Sequence, residues 1–349
     1  MNAAMHSAHS TNSLIQPLLK KARIGFVGTG WIGKNRMSAL LAQPSCEAVA
    51  IVEPDRESAK AARALTNYSA TICSFEELLT SGVDGIVIAT PSAMHAQQAV
   101  AALERGIPVF CQKPLARNFR ETQMVVETAR RVNRLLSVDF SYRFVRGVEQ
   151  IRSLVSDGSL GEIYAIQLTF HNAYGPGKTW FFEREQSGGG CLMDLGIHLV
   201  DLALWLLDFP GLSNIHSHLF SGGKPLSTRN GFVEDYANAA LCFDTGAIAN
   251  LACSWRAHAG RDAVIEVTCL GTKGGASLQN VNGSFFDFVT ERYSGTRTEV
   301  LSQPPDDWGG RAIVEWFNRL CVSKSFDSEA EQYAEVASVL DQVYAACAS

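Results

Sequence analysis

An apolar stretch from Gly188 to Leu207 carries three ionisable side chains that could perform acid–base chemistry. Asp194, His198 and Asp201 stand at positions i, i+4 and i+7, so a helix places them on one face. Almost all other positions are apolar, which predicts a buried helix from about Cys191 to Leu207. Because burying such groups unpaired costs several kcal/mol, they must pair with one another or line a cavity. In a cavity, a histidine beside carboxylates suits a general base.

A glycine-rich turn near the start of the chain indicates a second kind of chemistry. The apolar run Ile24–Val27 ends in Gly28, Gly30 and Gly33, and a helix-compatible segment, Trp31–Leu41, follows without a break. In a strand, turn and helix of this kind, the first glycine permits the turn, the second lets the backbone approach a pyrophosphate, and the third lets the helix pack on the strand. Free N–H groups and the helix dipole favour the diphosphate.

The residues after the second apolar run distinguish between two dinucleotides. Ala48–Val52 ends in Glu53, about 20 residues beyond the glycine turn, where an acid can accept from a ribose 2′-hydroxyl. This position favours NAD, since the acid repels a 2′-phosphate. Arg56 lies three residues further on and could accept that phosphate, which leaves NADP as the alternative.

Two strand-end loops are predicted to face the same site. Ligands of parallel sheets sit beyond the carboxyl ends of the strands, which places the loops Thr90–His95 and Cys111–Pro114 there. Lys113 would then project toward the nicotinamide end of the cofactor and polarise a substrate hydroxyl, or be a solvated strand-end lysine.

The elements that position these residues predict two domains after a disordered leader. Strand-like and helix-like segments alternate from Arg23 to about Asp139, which predicts an α/β Rossmann doubly wound parallel sheet. Strand-like stretches then follow one another with turns between them, which predicts an α+β domain with a mostly antiparallel open sheet. The predicted bounds are residues 1–22 for the leader, 23–142 for the nucleotide-binding domain and 143–349 for the substrate-binding and oligomerisation domain.

Composition excludes several classes of protein. The 349 residues are 46% hydrophobic and 19% charged, with a net charge of −5, so nothing favours a nucleic-acid partner. Nine dispersed cysteines without a C-x-x-C pair suggest reduced thiols in a cytoplasmic protein rather than disulfides or a thiolate metal site. The most apolar helix-like stretch, Leu199–Leu207, is too short to span a membrane.

Taken together, the ordered motifs resemble the Gfo/Idh/MocA family of NAD(P)-dependent oxidoreductases, which includes glucose–fructose oxidoreductase and inositol dehydrogenases. The resemblance runs from Arg23 through nearly the whole chain. The sequence features that carry it are the glycine turn, Thr90-Pro91-Ser92 with His95, Lys113-Pro114, Tyr142-Arg143, and the run from Gly188 to Asp201.

The resemblance implies a role for each matching residue. The implied catalytic set is Lys113, Asp194 and His198. The predicted cofactor-binding residues are Gly28, Gly30, Trp31, Ile32, Gly33, Glu53, Thr90, Pro91, His95, Gln112 and Lys113. The predicted substrate-binding residues are Lys113, Arg143, Trp180, Asp194 and His198. The resemblance also implies a homodimer or homotetramer and a cis bond before Pro114.

One position departs from the family pattern. The family usually has Glu-Lys-Pro, and here Gln112 precedes Lys113. Loss of that negative charge removes an interaction that favours the charged form of the lysine.

The predicted reaction is hydride transfer between a secondary alcohol of a sugar, sugar derivative or cyclitol and nicotinamide, with His198 removing the hydroxyl proton. Two alternatives are a redox-neutral, NAD-dependent glycoside-cleaving enzyme and a nucleotide-sensing regulator without catalysis.

Two further side-chain groups have two interpretations each. Trp180 could stack on a sugar ring or pack in a core or interface. His216 and His218 could bind a metal, but alternation along one strand face is the simpler account, and no metal is expected.

Overall fold

The computed structural model describes residues 21–226 and 232–347. The predicted leader spans residues 1–22, and its residues 1–20 lie outside the described residues. Ala22 already begins the first strand.

The first sheet has six parallel strands in the order β3-β2-β1-β4-β5-β6, as the alternating sequence pattern predicted. Its strands are β1 (Ala22–Val27), β2 (Cys46–Val52), β3 (Thr71–Ile72), β4 (Gly85–Ile88), β5 (Val109–Cys111) and β6 (Leu136–Val138). Its helices are α1 (Trp31–Leu41), α2 (Arg56–Leu65), α3 (Phe75–Thr80), α4 (Ser92–Glu104) and α5 (Phe119–Arg131). The strand order reverses between β1 and β4, where such sheets bind ligands.

The second sheet has nine strands in the order β15-β14-β13-β12-β7-β11-β10-β8-β9. The strands are β7 (Ile163–Asn172), β8 (Leu212–Ser221), β9 (Lys224–Pro225), β10 (Tyr236–Phe243), β11 (Ile248–Ser254), β12 (Ala263–Gly271), β13 (Gly275–Asn280), β14 (Phe288–Ser294) and β15 (Arg297–Ser302). All neighbours pair antiparallel except β7 and β11, which makes the sheet mostly antiparallel as predicted.

Five α-helices follow residue 143: α6 (Arg146–Ser156), α7 (Arg184–Ser187), α8 (Ile197–Leu206), α9 (Arg311–Val322) and α10 (Glu331–Ala346). Of these, α6, α8 and α10 contact the second sheet. Alternate residues of β7, such as Ile166 and Leu168, are fully buried beneath these helices, while Gln167 between them is exposed. One face of the sheet therefore forms a core and the other is open.

Helix α9 packs on the first sheet, although the predicted domain boundary at residue 143 would assign it to the second domain. Its side chains Ile313, Trp316 and Phe317 are buried with Ile24 and Phe26 of β1 in the core of the first sheet. The chain thus returns to the nucleotide-binding domain after completing the second sheet, a long-range contact that local periodicity does not report.

The glycine-led stretch forms a central helical segment with an irregular start. Leu192–Gly196 is a π-helical turn that continues directly into α8. By length and composition alone, Arg184–Leu206 is apolar enough to cross a membrane, and 89% of its most apolar window is buried inside the protein. The segment is therefore the buried core helix of the second domain.

A buried carboxylate holds the beginning of this segment. Glu234 Oε1 accepts hydrogen bonds from Gly190 N at 2.8 Å, Leu192 N at 3.0 Å and the Tyr344 hydroxyl at 2.8 Å. A Cβ at Gly190 would collide with the Glu234 carbonyl oxygen, so the glycine is required for this approach. Burial raises the pKa of Glu234, and these hydrogen bonds oppose that rise.

We expect Glu234→Ala to lower the free energy of unfolding by about 3 kcal/mol, because it leaves buried N–H groups without an acceptor. Urea unfolding of the apoprotein measures this. Glu234→Gln keeps one acceptor oxygen and should lose less. An alanine variant as stable as the wild type would show that Glu234 does not hold the helix.

Candidate active site

A cleft of about 960 Å³ lies at the carboxyl ends of the first sheet. Residues directly following β1, β2, β4, β5 and β6 line it, and the segment from Pro176 to Phe181 and the helix start from Ser187 to His198 complete its wall. Both halves of the chain therefore contribute to one cavity.

The glycine turn has the geometry needed to approach a diphosphate. Gly28 has φ +81°, and a Cβ there would lie 2.6 Å from Ala89 O. A Cβ on Gly33 would collide with the Gly28 carbonyl oxygen. At Gly30 the nearest atom to a Cβ would be Lys178 Nζ at 3.7 Å, so the backbone here is open to the cleft. No side chain caps the N-terminus of α1, which leaves its N–H groups for an anion.

Glu53 lies in the cleft at the end of β2. Its Oε2 accepts from Thr29 N at 2.6 Å and its Oε1 from Asp55 N at 3.0 Å, which fixes the carboxylate beside the glycine turn. Arg56 is exposed on α2 and is not among the described residues that line the cleft. These positions suit a ribose with free hydroxyls.

All but one of the predicted cofactor-binding residues line the cleft. These are Gly28, Gly30, Trp31, Ile32, Glu53, Thr90, Pro91, His95, Gln112 and Lys113. Gly33 instead packs α1 against the turn.

His95 connects two of the cleft loops, because its Nδ1 lies 2.7 Å from Pro114 O and its Nε2 lies 2.7 Å from Thr90 O. Burial lowers its pKa. The Lys113–Pro114 bond is cis, as the resemblance implied.

Lys113 and Asp194 form an ion pair across the cleft. Lys113 Nζ donates to Asp194 Oδ1 at 2.8 Å and to the Asp194 carbonyl oxygen at 2.7 Å. Trp255 Nε1 donates to the other carboxylate oxygen at 3.1 Å. The carboxylate is thus oriented by two donors, and it in turn fixes the ammonium group. Both side chains are about one-fifth exposed, so solutes can reach them (19% and 18%).

His198 lies near this pair but is not bonded to it. Asp194 belongs to the π-helical turn and His198 to the first turn of α8, so the expected i, i+4 contact of a regular helix is displaced. The His198 ring lies 4.8 Å from the ring of Tyr142, and its Nδ1 is buried without a hydrogen-bond partner in the described part of the chain. Asp194 therefore orients Lys113 rather than the histidine.

The surroundings of His198 keep its imidazole neutral. Burial, followed by the positive charges of Lys113 and Arg36, lowers its pKa well below 6.5. A neutral imidazole carries a free lone pair at neutral pH, as a general base requires.

Aromatic side chains form two sides of the cleft. The rings of Trp180 and Phe181 stack with their centroids 3.8 Å apart, and both residues line the cavity. Trp308 also lines the cavity, and its ring centroid lies 5.0 Å from that of Tyr142. Flat apolar walls around a few polar groups suit the faces of a sugar ring.

Two residues of the predicted site form a structural contact instead. Arg143, predicted to bind substrate, is 6% exposed and pairs with Asp201 through Nη2 at 2.6 Å and Nε at 3.0 Å. Its Nη1 donates to Gln332 at 2.9 Å. Neither Arg143 nor Asp201 lines the cleft. The prediction for Arg143 is therefore corrected: it neutralises the buried Asp201, the third ionisable residue of the predicted stripe.

Several residues that line or support the site were not predicted. Trp255 holds Asp194 from 61 positions away, and Arg36 pairs with Asp139 from 103 positions away. A local signal existed for Asp139, a charged residue in a mostly apolar segment after β6, whereas Arg36 follows Lys34 and Asn35 and does not stand out.

His216 and His218 both lie on the exposed face of β8, with Ser217 turned inward between them. Among the described residues, no group of three or more His, Cys, Asp or Glu side chains is arranged to hold a metal ion.

Comparison with known proteins agrees with this geometry. The profile of the oxidoreductase family with an NAD-binding Rossmann fold matches residues 22–140, and that of the GFO/IDH/MocA C-terminal domain matches residues 148–277. The chain belongs to the Gfo/Idh/MocA family of NAD(P)-dependent oxidoreductases.

Three relatives illustrate the similarity. The D-glucoside 3-dehydrogenase of Escherichia coli (strain K12) is 30% identical over 268 residues, which cover 73% of this chain and 76% of that protein. The glucose-6-phosphate 3-dehydrogenase of Bacillus subtilis (strain 168) is 26% identical over 220 residues, 62% of each chain. The fold matches levoglucosan dehydrogenase in complex with NADH and levoglucosan at a TM-score of 0.81 and 22% identity, over 94% of this chain and 98% of that one.

We expect the imidazole of His198 to stay neutral as the pH falls through 6.5, because burial and two nearby cations oppose its protonation. Removing a cation favours the imidazolium, so Lys113→Met should move the titration to higher pH. Proton NMR of the His198 ring, assigned with His198→Asn, measures both. A midpoint at or above 6.5 in the wild type would contradict the description.

We expect Arg143→Met to lower the free energy of unfolding by about 3–5 kcal/mol, because it leaves Asp201 buried without its cation. Arg143→Met/Asp201→Leu should recover much of that loss. The dissociation constant for NAD⁺, measured by fluorescence, should not change. A large loss of substrate affinity in a stable double variant would instead restore Arg143 to the binding site.

Proposed function

We propose that the protein is an NAD-dependent dehydrogenase that oxidises a ring hydroxyl of a glucose-type sugar or glycoside, with the hydroxyl at C3 as the target. The observation that carries the proposal is the convergence of Lys113, Asp194 and His198 at the strand-end cleft between aromatic walls. Two sequence relatives are named as 3-dehydrogenases of glucose derivatives, which supports the choice of carbon.

The cleft residues fit the bound cofactor. The open backbone at Gly30 and the uncapped N-terminus of α1 would hold the diphosphate, and Glu53 would accept from the adenosine ribose hydroxyls. With Arg56 away from the cleft, no described arginine lines it beside Glu53, which supports NAD over NADP. When bound, the cofactor supplies the nicotinamide that accepts the hydride.

The side chains of this chain have distinct tasks in the proposed reaction. The Lys113 ammonium group, held by Asp194, donates a hydrogen bond to the hydroxyl oxygen and stabilises the negative charge that develops there. The neutral His198 takes the hydroxyl proton. The walls formed by Trp180, Phe181 and Trp308 orient the ring and exclude water.

A cytoplasmic homodimer or homotetramer stays a prediction. The open face of the second sheet supports the oligomer, because Tyr164 and Tyr236 are exposed there. The same proposal includes neither a nucleic acid nor a membrane as partner.

Absorbance of the reduced nicotinamide at neutral pH tests the function. Purified protein is mixed with NAD⁺ or NADP⁺ and with methyl glucosides, glucose, glucose 6-phosphate, levoglucosan or inositol. We expect NAD⁺ reduction with at least one glucose derivative, and a loss of about 100-fold or more in kcat for His198→Ala because general-base catalysis contributes that much.

The controls separate catalysis from folding. His216→Ala, on the exposed face of β8, should keep wild-type kcat. Release of an aglycone without net NADH would favour the glycoside-cleaving alternative, and cofactor binding without turnover of any compound would favour the regulator. Near-normal turnover of His198→Ala would contradict the role of His198.

A further inference from the structure

A buried carboxylate, Asp139, lies next to Gln112, the position at which the resemblance implies a glutamate. Residue 112 follows Cys111 of β5, and residue 139 follows Val138 of β6, and Cys111 and Val138 are register partners in the parallel sheet. Gln112 and Asp139 are therefore side by side at the base of the cleft, and the Gln112 amide donates to Asp139 Oδ2.

The same carboxylate oxygen binds a cation from the glycine-turn helix. Arg36 Nε donates to Asp139 Oδ2 at 2.5 Å, and Arg36 and Asp139 are 5% and 1% exposed. Two donors, one of them a cation, therefore converge on a single carboxylate oxygen. Its other oxygen, Oδ1, is buried without a hydrogen-bond partner among residues 21–226 and 232–347.

The location of this contact connects it with the catalytic cluster. Gln112 directly precedes Lys113, and Arg36 is one of the two cations that lower the pKa of His198. The hydrogen bond from Gln112 to Asp139 therefore holds the residue to which Lys113 is attached, and loss of Asp139 would leave Arg36 without its carboxylate partner.

We propose that Asp139 is a positioning residue of the active site: it supplies, from the neighbouring strand, the carboxylate that Gln112 lacks, and so fixes Gln112 and the adjoining Lys113. Asp139 touches Arg36 and Gln112, and its effect on the reaction passes through Lys113.

A purely structural ion pair makes a different prediction. Replacing both members of a buried pair by neutral groups often leaves stability unchanged, so a structural pair could be removed without loss of activity. If Asp139 positions the site, activity should be kept when the carboxylate is moved to residue 112 and should fall when the carboxylate is removed.

Three variants separate the two accounts. Asp139→Asn removes the carboxylate, Gln112→Glu/Asp139→Asn moves it to residue 112, and Arg36→Met/Asp139→Asn removes both charges. Asp208→Asn, at an exposed acid in a surface pair with Arg152, is the matched control. Asp139→Asn should lower the Tm of the apoprotein by about 5 °C or more, because a buried cation is left unpaired.

The kinetic readout rests on the function proposed above. We expect kcat/KM to fall about tenfold or more in Asp139→Asn and in the stable Arg36→Met/Asp139→Asn, which corresponds to the loss of one well-placed interaction. The variant with the carboxylate at residue 112 should return to within about threefold of the wild type.

A second readout needs neither cofactor nor substrate. The rate at which an amine-reactive reagent modifies Lys113, measured by mass spectrometry, should rise about threefold or more in Asp139→Asn, because the lysine is held less firmly by Asp194. It should fall back when the carboxylate is at residue 112. If the wild type oxidises no sugar, the proposed function fails while this assay still decides the role of Asp139.

Wild-type kcat/KM and Lys113 reactivity in a folded Arg36→Met/Asp139→Asn would overturn the proposal. So would a relocated carboxylate that restores neither quantity. If Asp139→Asn does not fold, the two double variants decide the question alone.

Discussion

The ion pair between Lys113 and Asp194 joins a loop of the parallel sheet to the core helix of the second domain. Each partner has a second constraint: Trp255 bonds the carboxylate, and the Lys113 ammonium also binds the Asp194 carbonyl oxygen. Because these contacts cross the cleft, the position of the Lys113 ammonium depends on how the two domains pack. The interaction therefore links domain packing to the geometry of the candidate active site.

The second domain must hold Asp194 and His198 on a helix that is otherwise apolar. Glu234 provides the acceptor for the N–H groups at its start, and Arg143 neutralises Asp201 further along. The π-helical turn then separates these two side chains, so that Asp194 binds Lys113 while Nδ1 of His198 has no hydrogen-bond partner among the described residues. Arg143 and Asp201 pair with each other outside the cleft, so fewer polar groups face its interior.

The sequence predicts the local parts of this arrangement well. The glycine turn and the strand-end loops depend on neighbouring residues, and ten of the predicted cofactor-binding residues line the cleft. The comparisons confirm the fold and the family. Contacts between distant segments could not be predicted, because periodicity gives no information about which partner a buried charge finds. Arg143 was placed with the substrate for this reason, and Arg36, Asp139 and Trp255 were not found.

The π-helical turn is a second feature that the spacing of residues in the sequence does not predict. A regular helix places Asp194, His198 and Asp201 on one face, and in the structure these side chains face a lysine, the cleft and a buried arginine. At the start of this turn, Gly190 N and Leu192 N donate to the distant Glu234, a contact that local periodicity does not report.

We propose that hydride passes from C3 of a glucose-type sugar to NAD⁺ while His198 takes the hydroxyl proton, and isotope transfer tests this proposal most directly. Methyl glucoside carrying deuterium only at C3 would be incubated with the protein and NAD⁺, and the NADH isolated for mass spectrometry. The account predicts NADH that contains the deuterium and a slower reaction than with the unlabelled glucoside. Unlabelled NADH would contradict the choice of carbon, and the absence of NADH with every sugar would contradict the proposed dehydrogenase itself.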